Sequence, residues 1–209
     1  MKNPLHYQMS EYDCGPTTML NAINFLFERE EIPPEIIRNI MLYSLDCYGA
    51  EGTPGKAGTS RMAMMFLSNW LDGYGKATQL ALSSQYLAGK AVYIGQESYL
   101  NDALYRGGVA VVRLFYEVEH YALLTGIEAN KIKMFDPWYL PADSDEFAGT
   151  GIEINLNKPR EYNRLVPCEL FNDASKGLYA LGKAEDREAV LLFNEKTRKT
   201  ASDTIEYFI

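Results

Sequence analysis

The chain has 209 residues, of which 47% are hydrophobic and 23% charged, a composition typical of a globular protein with one sizeable core. The formal net charge of -8 argues against a nucleic-acid-binding surface, which needs clustered basic residues. No stretch approaches the roughly 18 apolar residues of a membrane span, and the N-terminus lacks the apolar core of a secretory signal. We therefore expect a cytoplasmic protein without a membrane span.

Helices are predicted through the first third of the chain, where apolar residues recur at near-helical spacing. Gly15 and Pro16 suit a first helical turn, because the missing N–H of proline costs nothing there. Thr59 and Ser60 suit an N-cap. The predicted helices cover residues 15–30, residues 34–45 and the stretch from Ser60 to Trp70, with a glycine-rich loop at residues 49–60.

From Thr78 onward the pattern changes to strands, interrupted by a short predicted helix from Ser98 to Tyr105. The β-branched run from Val109 to Phe115 indicates a buried central strand. Further strands are predicted at residues 120–127, 132–135, 162–168, 178–181 and 189–193. Helices followed by antiparallel strands are typical of the α+β class, so we expect N-terminal helices packed on an antiparallel sheet. We expect one domain over residues 1–209, with residues 140–209 as C-terminal strands or an extension of unassigned role.

Cys14 is the candidate for a reactive group, because it directly precedes the first predicted helix. The helix dipole and the unpaired backbone N–H groups at a helix N-terminus stabilise a thiolate. Gln8, six residues earlier, carries a side-chain amide that can hold an oxyanion. Cys47 and Cys168 are expected to be packing thiols, and the three cysteines include no CxxC pair that would indicate a disulfide framework.

Catalysis by a thiol needs an imidazole, and the chain offers only His6 and His120. His6 lies in a predicted extended segment, whereas His120 opens a strand and is the predicted base. Asp136 follows in the next strand. A three-residue hairpin loop at residues 128–130 would place His120 opposite Trp138 and on the same sheet face as Asp136, within hydrogen-bonding reach. A two-residue loop would place the pair on opposite faces.

These residues resemble the papain-like cysteine peptidases, and more narrowly the free-standing form of the bacteriocin-processing, or double-glycine leader, peptidases (family thirty-nine of the cysteine class). The resemblance covers roughly residues 5–140 and rests on three motifs. They are QMSEYDCGP at residues 8–16, HYALLTG at residues 120–126 and FDP at residues 135–137. The resemblance implies a papain-like fold and a thiol hydrolase that cleaves a peptide bond through a thioester acyl-enzyme.

For single residues, the resemblance implies a nucleophile at Cys14, a general base and acid at His120, and an orienting carboxylate at Asp136. Gln8 and the Cys14 backbone N–H would hold the oxyanion. Leader peptidases are commonly fused to a membrane transporter, which this sequence does not show. The chain after Asp136 has no clear counterpart in the resemblance.

The candidate substrate-binding residues are Tyr121, Trp138 and Gly58. No cofactor or metal is predicted, because Cys14, His120 and Asp136 are zinc-ligand types without a convincing fourth ligand. The expected partner is a peptide or small protein, not a nucleic acid, and the oligomeric state is left open. Two alternatives remain: a papain-like acyltransferase or transpeptidase that uses the same triad, and a non-catalytic binding relative.

Overall fold

The computed structural model describes residues 1–200, and the end of the predicted 1–209 domain, residues 201–209, lies outside the described residues. The helices are α1 (Cys14–Leu26), α2 (Pro34–Ser44), α3 (Arg61–Ala77), α4 (Tyr99–Tyr105) and α5 (Cys168–Phe171). The strands are β1 (Leu82–Ala88), β2 (Val109–Tyr116), β3 (Val118–Glu128), β4 (Lys131–Phe135), β5 (Glu153–Ile154), β6 (Arg164–Pro167) and β7 (Glu188–Asn194).

Within residues 1–200 the strands form a seven-stranded sheet in the order β1-β7-β2-β3-β4-β6-β5. All of its strand pairs are antiparallel. Strands β2, β3 and β4 follow one another as hairpins, whereas β7 comes from near the C-terminus and lies between β1 and β2. The predicted α+β class, with N-terminal helices packed on an antiparallel sheet, is confirmed.

The sheet separates two apolar cores. Alternate residues of a strand point to opposite faces, so Val111 joins the core under α1, α2 and α3, and its neighbour Val112 joins the core on the other face. That second core contains residues of α4 and of the C-terminal segment, among them Phe171 and Tyr179. Residues beyond Asp136 therefore cover one whole face of the sheet.

The helix boundaries depart from the predicted ones at two places. Helix α1 ends at Leu26 because Phe27 adopts an extended backbone conformation, and a 3₁₀ turn follows at Arg29–Glu31. Helix α3 continues past Trp70 to Ala77, and the Trp70 and Tyr74 rings pack one turn apart with centroids 5.2 Å apart. The predicted cap is present, since the Ser60 side chain accepts a hydrogen bond from the Ala63 backbone N–H.

Two predictions in the C-terminal part were wrong. Residues 178–181 are not a regular strand, because Tyr179 has a φ of 58°. The segment nevertheless bonds to β2 through Tyr179 N to Phe115 O, at 2.7 Å. The predicted strand at residues 162–168 is β6, which is shorter, and Cys168 begins α5.

The β3–β4 hairpin has a two-residue loop, not the three-residue loop that would align His120 with Asp136. Glu128 pairs with Lys131, so only Ala129 and Asn130 lie in the loop, and Ala129 takes the positive φ of 52°. A β-bulge at Thr125 then shifts the register by one residue, so that Leu124 pairs with Met134. The bulge restores the alignment that the short loop removes.

No helix among residues 1–200 has the length and apolar character needed to cross a membrane.

Candidate active site

The start of α1 is anchored to β3 directly beside His120. The Thr18 hydroxyl donates a hydrogen bond to the carbonyl oxygen of Tyr121 at 3.0 Å, and both partners are buried. Cys14, the first residue of α1, is 8% exposed, and His120 is 6% exposed. The helix N-terminus and the beginning of β3 therefore bring the thiol and the imidazole together.

His120 lies between a carboxylate and a thiol. Its Nε2 atom is 2.8 Å from Asp136 Oδ1, and its ring also makes a side-chain hydrogen bond with Cys14. Burial lowers the pKa of His120, but the charge and hydrogen bond of Asp136, together with Cys14, outweigh it and raise that pKa to about 10. The site thus favours an imidazolium at neutral pH.

Asp136 is completely buried but well supplied with donors. Its Oδ1 atom also accepts the Trp138 backbone N–H at 2.8 Å, and its Oδ2 atom accepts the Tyr179 hydroxyl at 2.6 Å. Burial raises the pKa of Asp136, but His120, Tyr179 and the Trp138 N–H together lower it below its ordinary value. The carboxylate therefore stays ionised beside the imidazole.

The backbone of Asp136 is held by Asn163. The Asp136 N–H donates to Asn163 Oδ1 at 2.8 Å, and Asn163 Nδ2 donates to the Asp136 carbonyl oxygen at 2.7 Å. This reciprocal pair continues the β4–β6 ladder by side-chain bonds just after β4 ends.

Asp13, next to the thiol, turns its carboxylate into the preceding loop. It accepts hydrogen bonds from the Met9 and Ser10 backbone N–H groups and from the Ser10 hydroxyl. Burial raises the pKa of Asp13, but these bonds lower it below its ordinary value. Asp13 thus organises the turn between Gln8 and Cys14.

Gln8 lines the same cleft as Cys14 and His120. Its backbone N–H donates to the Pro137 carbonyl oxygen at 2.9 Å, which ties the N-terminal segment to the residue after Asp136. Its side-chain Nε2 donates one hydrogen to the Ser10 carbonyl oxygen at 2.7 Å, and an amide nitrogen carries a second.

A cleft of about 570 Å³ lies above these groups. All the predicted site residues except Asp136 line it, namely Gln8, Cys14, Gly58, His120, Tyr121 and Trp138. Asp136 lies behind His120, away from the cleft. One wall is the glycine-rich loop, where Gly58 has a φ of 73°, and the opposite wall is the tip of the β2–β3 hairpin.

Beneath the cleft, a buried carboxylate fixes the side chain of Tyr121. Glu188 accepts the Tyr121 hydroxyl on Oε1 and the Tyr86 hydroxyl on Oε2, both at 2.7 Å. The Arg113 guanidinium lies 3.1 Å from Glu188 Oε1 and 2.9 Å from Glu119. Tyr121 therefore reaches the cleft as part of a rigid polar network.

The remaining candidate groups lie outside this arrangement. His6 is exposed and does not line the cleft. Burial, with Asp46 near one and Glu169 near the other, raises the pKa of Cys47 and of Cys168. Within residues 1–200, no group of three or more His, Cys, Asp or Glu side chains could hold a metal ion.

Sequence reasoning missed Tyr179, Asn163 and Glu188. Tyr179 and Asn163 stand in polar stretches far along the chain from Asp136, and no motif or spacing relates them to it. Glu188 begins an apolar strand, where a charged residue normally marks the solvent-exposed end. Only the three-dimensional arrangement connects these side chains to the cleft.

No protein-family model matches the chain, and no curated protein matches it in sequence. Among solved structures, this chain is similar to the peptidase domain of Streptococcus ComA, a bi-functional ABC transporter involved in a quorum sensing pathway. The alignment covers 91% of this chain and 97% of that chain, with 12% sequence identity and a TM-score of 0.41. The similarity thus extends over nearly the whole length of both chains.

Proposed function

We propose that this protein is a cysteine peptidase that cleaves a peptide bond with Cys14, His120 and Asp136. The observation that carries the proposal is the position of His120, hydrogen-bonded to Asp136 on one side and to Cys14 on the other, with its pKa raised to about 10 by these partners against the effect of burial. A core histidine needs no such pair of partners.

In the first step, the Cys14 thiolate attacks the carbonyl carbon of the scissile bond, and His120 is the imidazolium. Because Nε2 is engaged by Asp136, Nδ1 is the ring nitrogen that serves the thiol and the leaving group. The C–N bond breaks, the proton on Nδ1 passes to the leaving amine, and a thioester forms on Cys14.

In the second step, the neutral imidazole takes a proton from water, which attacks the thioester carbonyl. The C–S bond breaks, the new carboxyl terminus leaves, and His120 returns as the imidazolium partner of the thiolate. Asp136 keeps the ring aligned and stabilises its charge in both steps, without taking the proton itself.

The oxyanion of each tetrahedral intermediate is assigned to two donors. One is the free hydrogen on Gln8 Nε2, and the other is the Cys14 backbone N–H, which lies among the unpaired donors at the start of α1. Tyr121, Trp138 and Gly58 are proposed to contact the substrate peptide, since all three line the cleft beside Cys14.

We also propose that the C-terminal part belongs to the same domain as the catalytic residues. Strand β7 lies between β1 and β2, and Asn163 and Tyr179 bond directly to Asp136. The enzyme would then need this segment both for its sheet and for its carboxylate.

The test is cleavage of a proteome-derived peptide library, with new termini identified by mass spectrometry. We expect new termini with the wild-type protein and none with Cys14→Ala. In water enriched in oxygen-18, hydrolysis places the heavy isotope in each new carboxyl terminus, whereas transfer to a peptide amine does not.

Labelling with iodoacetamide at mildly acidic pH identifies the nucleophile independently of the substrate. The label should fall on Cys14 and disappear in Cys14→Ala, while Cys168→Ala serves as the matched thiol control. Label on Cys47 or Cys168, or cleavage that survives in Cys14→Ala, would refute the assignment.

A further inference from the structure

Tyr179 supplies the donor for the oxygen of Asp136 that does not face His120. Its hydroxyl lies 2.6 Å from Oδ2, while Oδ1 bonds to the imidazole. Tyr179 is 0% exposed and Asp136 is 1% exposed. Water therefore does not compete for Oδ2, and the phenol is the side-chain donor that fixes the rotation of the carboxylate about its last bond.

The backbone of Tyr179 holds an unfavourable conformation in order to present this ring. Its φ of 58° lies in the left-handed region, which bulky residues rarely adopt and which glycine adopts without strain. Backbone bonds on both sides keep it there, since Tyr179 N donates to Phe115 O at 2.7 Å and Phe115 N donates to Ala180 O at 2.9 Å. A position that suits glycine thus carries a side chain with one specific contact.

The ring of Tyr179 is packed as firmly as its backbone. It stacks on Tyr116 with centroids 5.9 Å apart and an angle of 25° between the planes, and it packs against Phe147 at 5.6 Å. Tyr116 in turn lies 6.0 Å from the His120 ring. The aromatic side chains form a wall behind the imidazole and leave the phenol oxygen little freedom.

The charged groups that face the phenol are Asp136 and Arg164. Burial and then Asp136 raise the pKa of Tyr179 well above its ordinary value, and Arg164 opposes that shift. The hydroxyl consequently stays protonated throughout the range in which enzymes work, so it donates to Asp136 and never accepts from it.

We propose that Tyr179 is a positioning residue that orients Asp136 towards His120 and keeps the carboxylate ionised, extending the Cys14–His120–Asp136 arrangement by a fourth member. This inference rests on the proposed function, because it assigns a role only if Cys14 is the nucleophile. It also gives the segment after Asp136 a direct part in the chemistry.

The test is the pH dependence of Cys14 alkylation by iodoacetamide in the full-length Tyr179→Phe variant. Without the phenol, the buried Oδ2 takes up a proton at higher pH, and a neutral acid no longer holds the imidazolium that stabilises the thiolate. We expect the acid limb of the rate profile to move up by about one pH unit, which lowers the rate at pH 5 by about tenfold. At pH 9, where the thiol ionises without help, the two rates should agree within about twofold.

The matched control is Tyr86→Phe, which removes another phenol–carboxylate bond, from Tyr86 to Glu188 at 2.7 Å. It should leave the acid limb where it is, because neither group contacts His120 or Asp136. If Tyr179→Phe does not fold, 3-fluorotyrosine placed at residue 179 alone decides the question. Its more acidic hydroxyl is a stronger donor, so the acid limb should move to lower pH.

The outcomes separate this inference from the proposed function. If iodoacetamide labels Cys14 and the profiles of the position-179 variants coincide with the wild-type profile, the role of Tyr179 is refuted and the peptidase assignment stands. If wild-type label falls on Cys47 or Cys168, both fail. Opposite shifts in the phenylalanine and fluorotyrosine variants would establish Tyr179 as the positioning residue.

Discussion

His120 is subject to two opposing effects at the scale of single residues. Burial favours the neutral ring, whereas Asp136 and Cys14 favour the charged ring and prevail. Asp136 can act in this way because its own charge is distributed over donors from Trp138 and Tyr179. The reactive thiol thus depends on a chain of contacts that begins in the C-terminal part of the protein.

The raised pKa of His120 predicts how stability varies with pH. The folded protein keeps a proton on this ring that the unfolded chain releases near pH 6.5, so the stabilisation is fully present below pH 6.5 and is lost as pH rises through the folded pKa. Cys14→Ala should therefore lose stability relative to Cys14→Ala/His120→Gln between pH 7 and 9.5. The slope of the difference is at most about 1.4 kcal/mol per pH unit.

Urea unfolding under reducing conditions at several pH values measures this difference. The Cys14→Ala background is needed because ionisation of the thiol would take up the opposite proton balance in the same range. Parallel curves for the two proteins would show that Asp136 does not hold a proton on His120.

Much of the site could be predicted at this scale, and the reason is chemical scarcity. Two histidines and one cysteine before a helix leave few ways to assemble a thiol and a base, so Cys14 and His120 could be paired from the sequence alone. Tyr179 could not be predicted in the same way. The chain contains 15 tyrosines, and only the left-handed turn at residue 179 distinguishes this one.

At the scale of elements, the alignment of His120 with Asp136 comes from two features that compensate each other. The two-residue loop moves β4 out of register, and the bulge at Thr125 moves it back. Loop length could be weighed from the sequence, because turn residues have recognisable preferences. The bulge could not, since a valine-, leucine- or threonine-rich strand carries no local sign of an extra residue.

The first turn of α1 depends on close contact with the glycine-rich loop. A Cβ atom at Gly15 would lie 2.2 Å from Thr59 Oγ1 and 2.7 Å from Thr59 Cβ, so no rotation of the threonine side chain relieves the clash. We expect Gly15→Ala to destabilise the protein by about 1–3 kcal/mol, as overpacked substitutions do. Urea unfolding measures the loss.

Two further variants make this prediction specific to the contact. In a Thr59→Gly background, Gly15→Ala should cost little, because the atoms in conflict are gone. Gly73→Ala in α3, where no atom lies within 4 Å of the added Cβ, should be neutral or stabilise the helix by about 0.5–1 kcal/mol. An equal loss in both Thr59 backgrounds would contradict the packing explanation.

At the scale of the whole molecule, the chain returns to the middle of its own sheet. Strand β7 pairs with β1 on one side and with β2 on the other, so contacts distant in sequence hold the sheet together. The apolar run at residues 189–193 predicted a buried strand, but no local pattern indicated its neighbours. Strand order depends on which edges remain unpaired after the local hairpins form, and that is a property of the complete fold.

The central position of β7 predicts equal losses from two adjacent substitutions. Leu191 is 2% exposed and packs into the core on the α4 side, whereas Leu192 is 0% exposed and packs into the core under α1 to α3. Because both faces of the sheet are covered, Leu191→Ala and Leu192→Ala should each reduce the free energy of unfolding by about 2–5 kcal/mol. Leu42→Ala on α2, 58% exposed, should change it by less than about 0.5 kcal/mol. If urea unfolding found one of the two β7 variants as stable as Leu42→Ala, one face of β7 would be open to solvent, and the C-terminal segment would not cover the sheet beside Asp136.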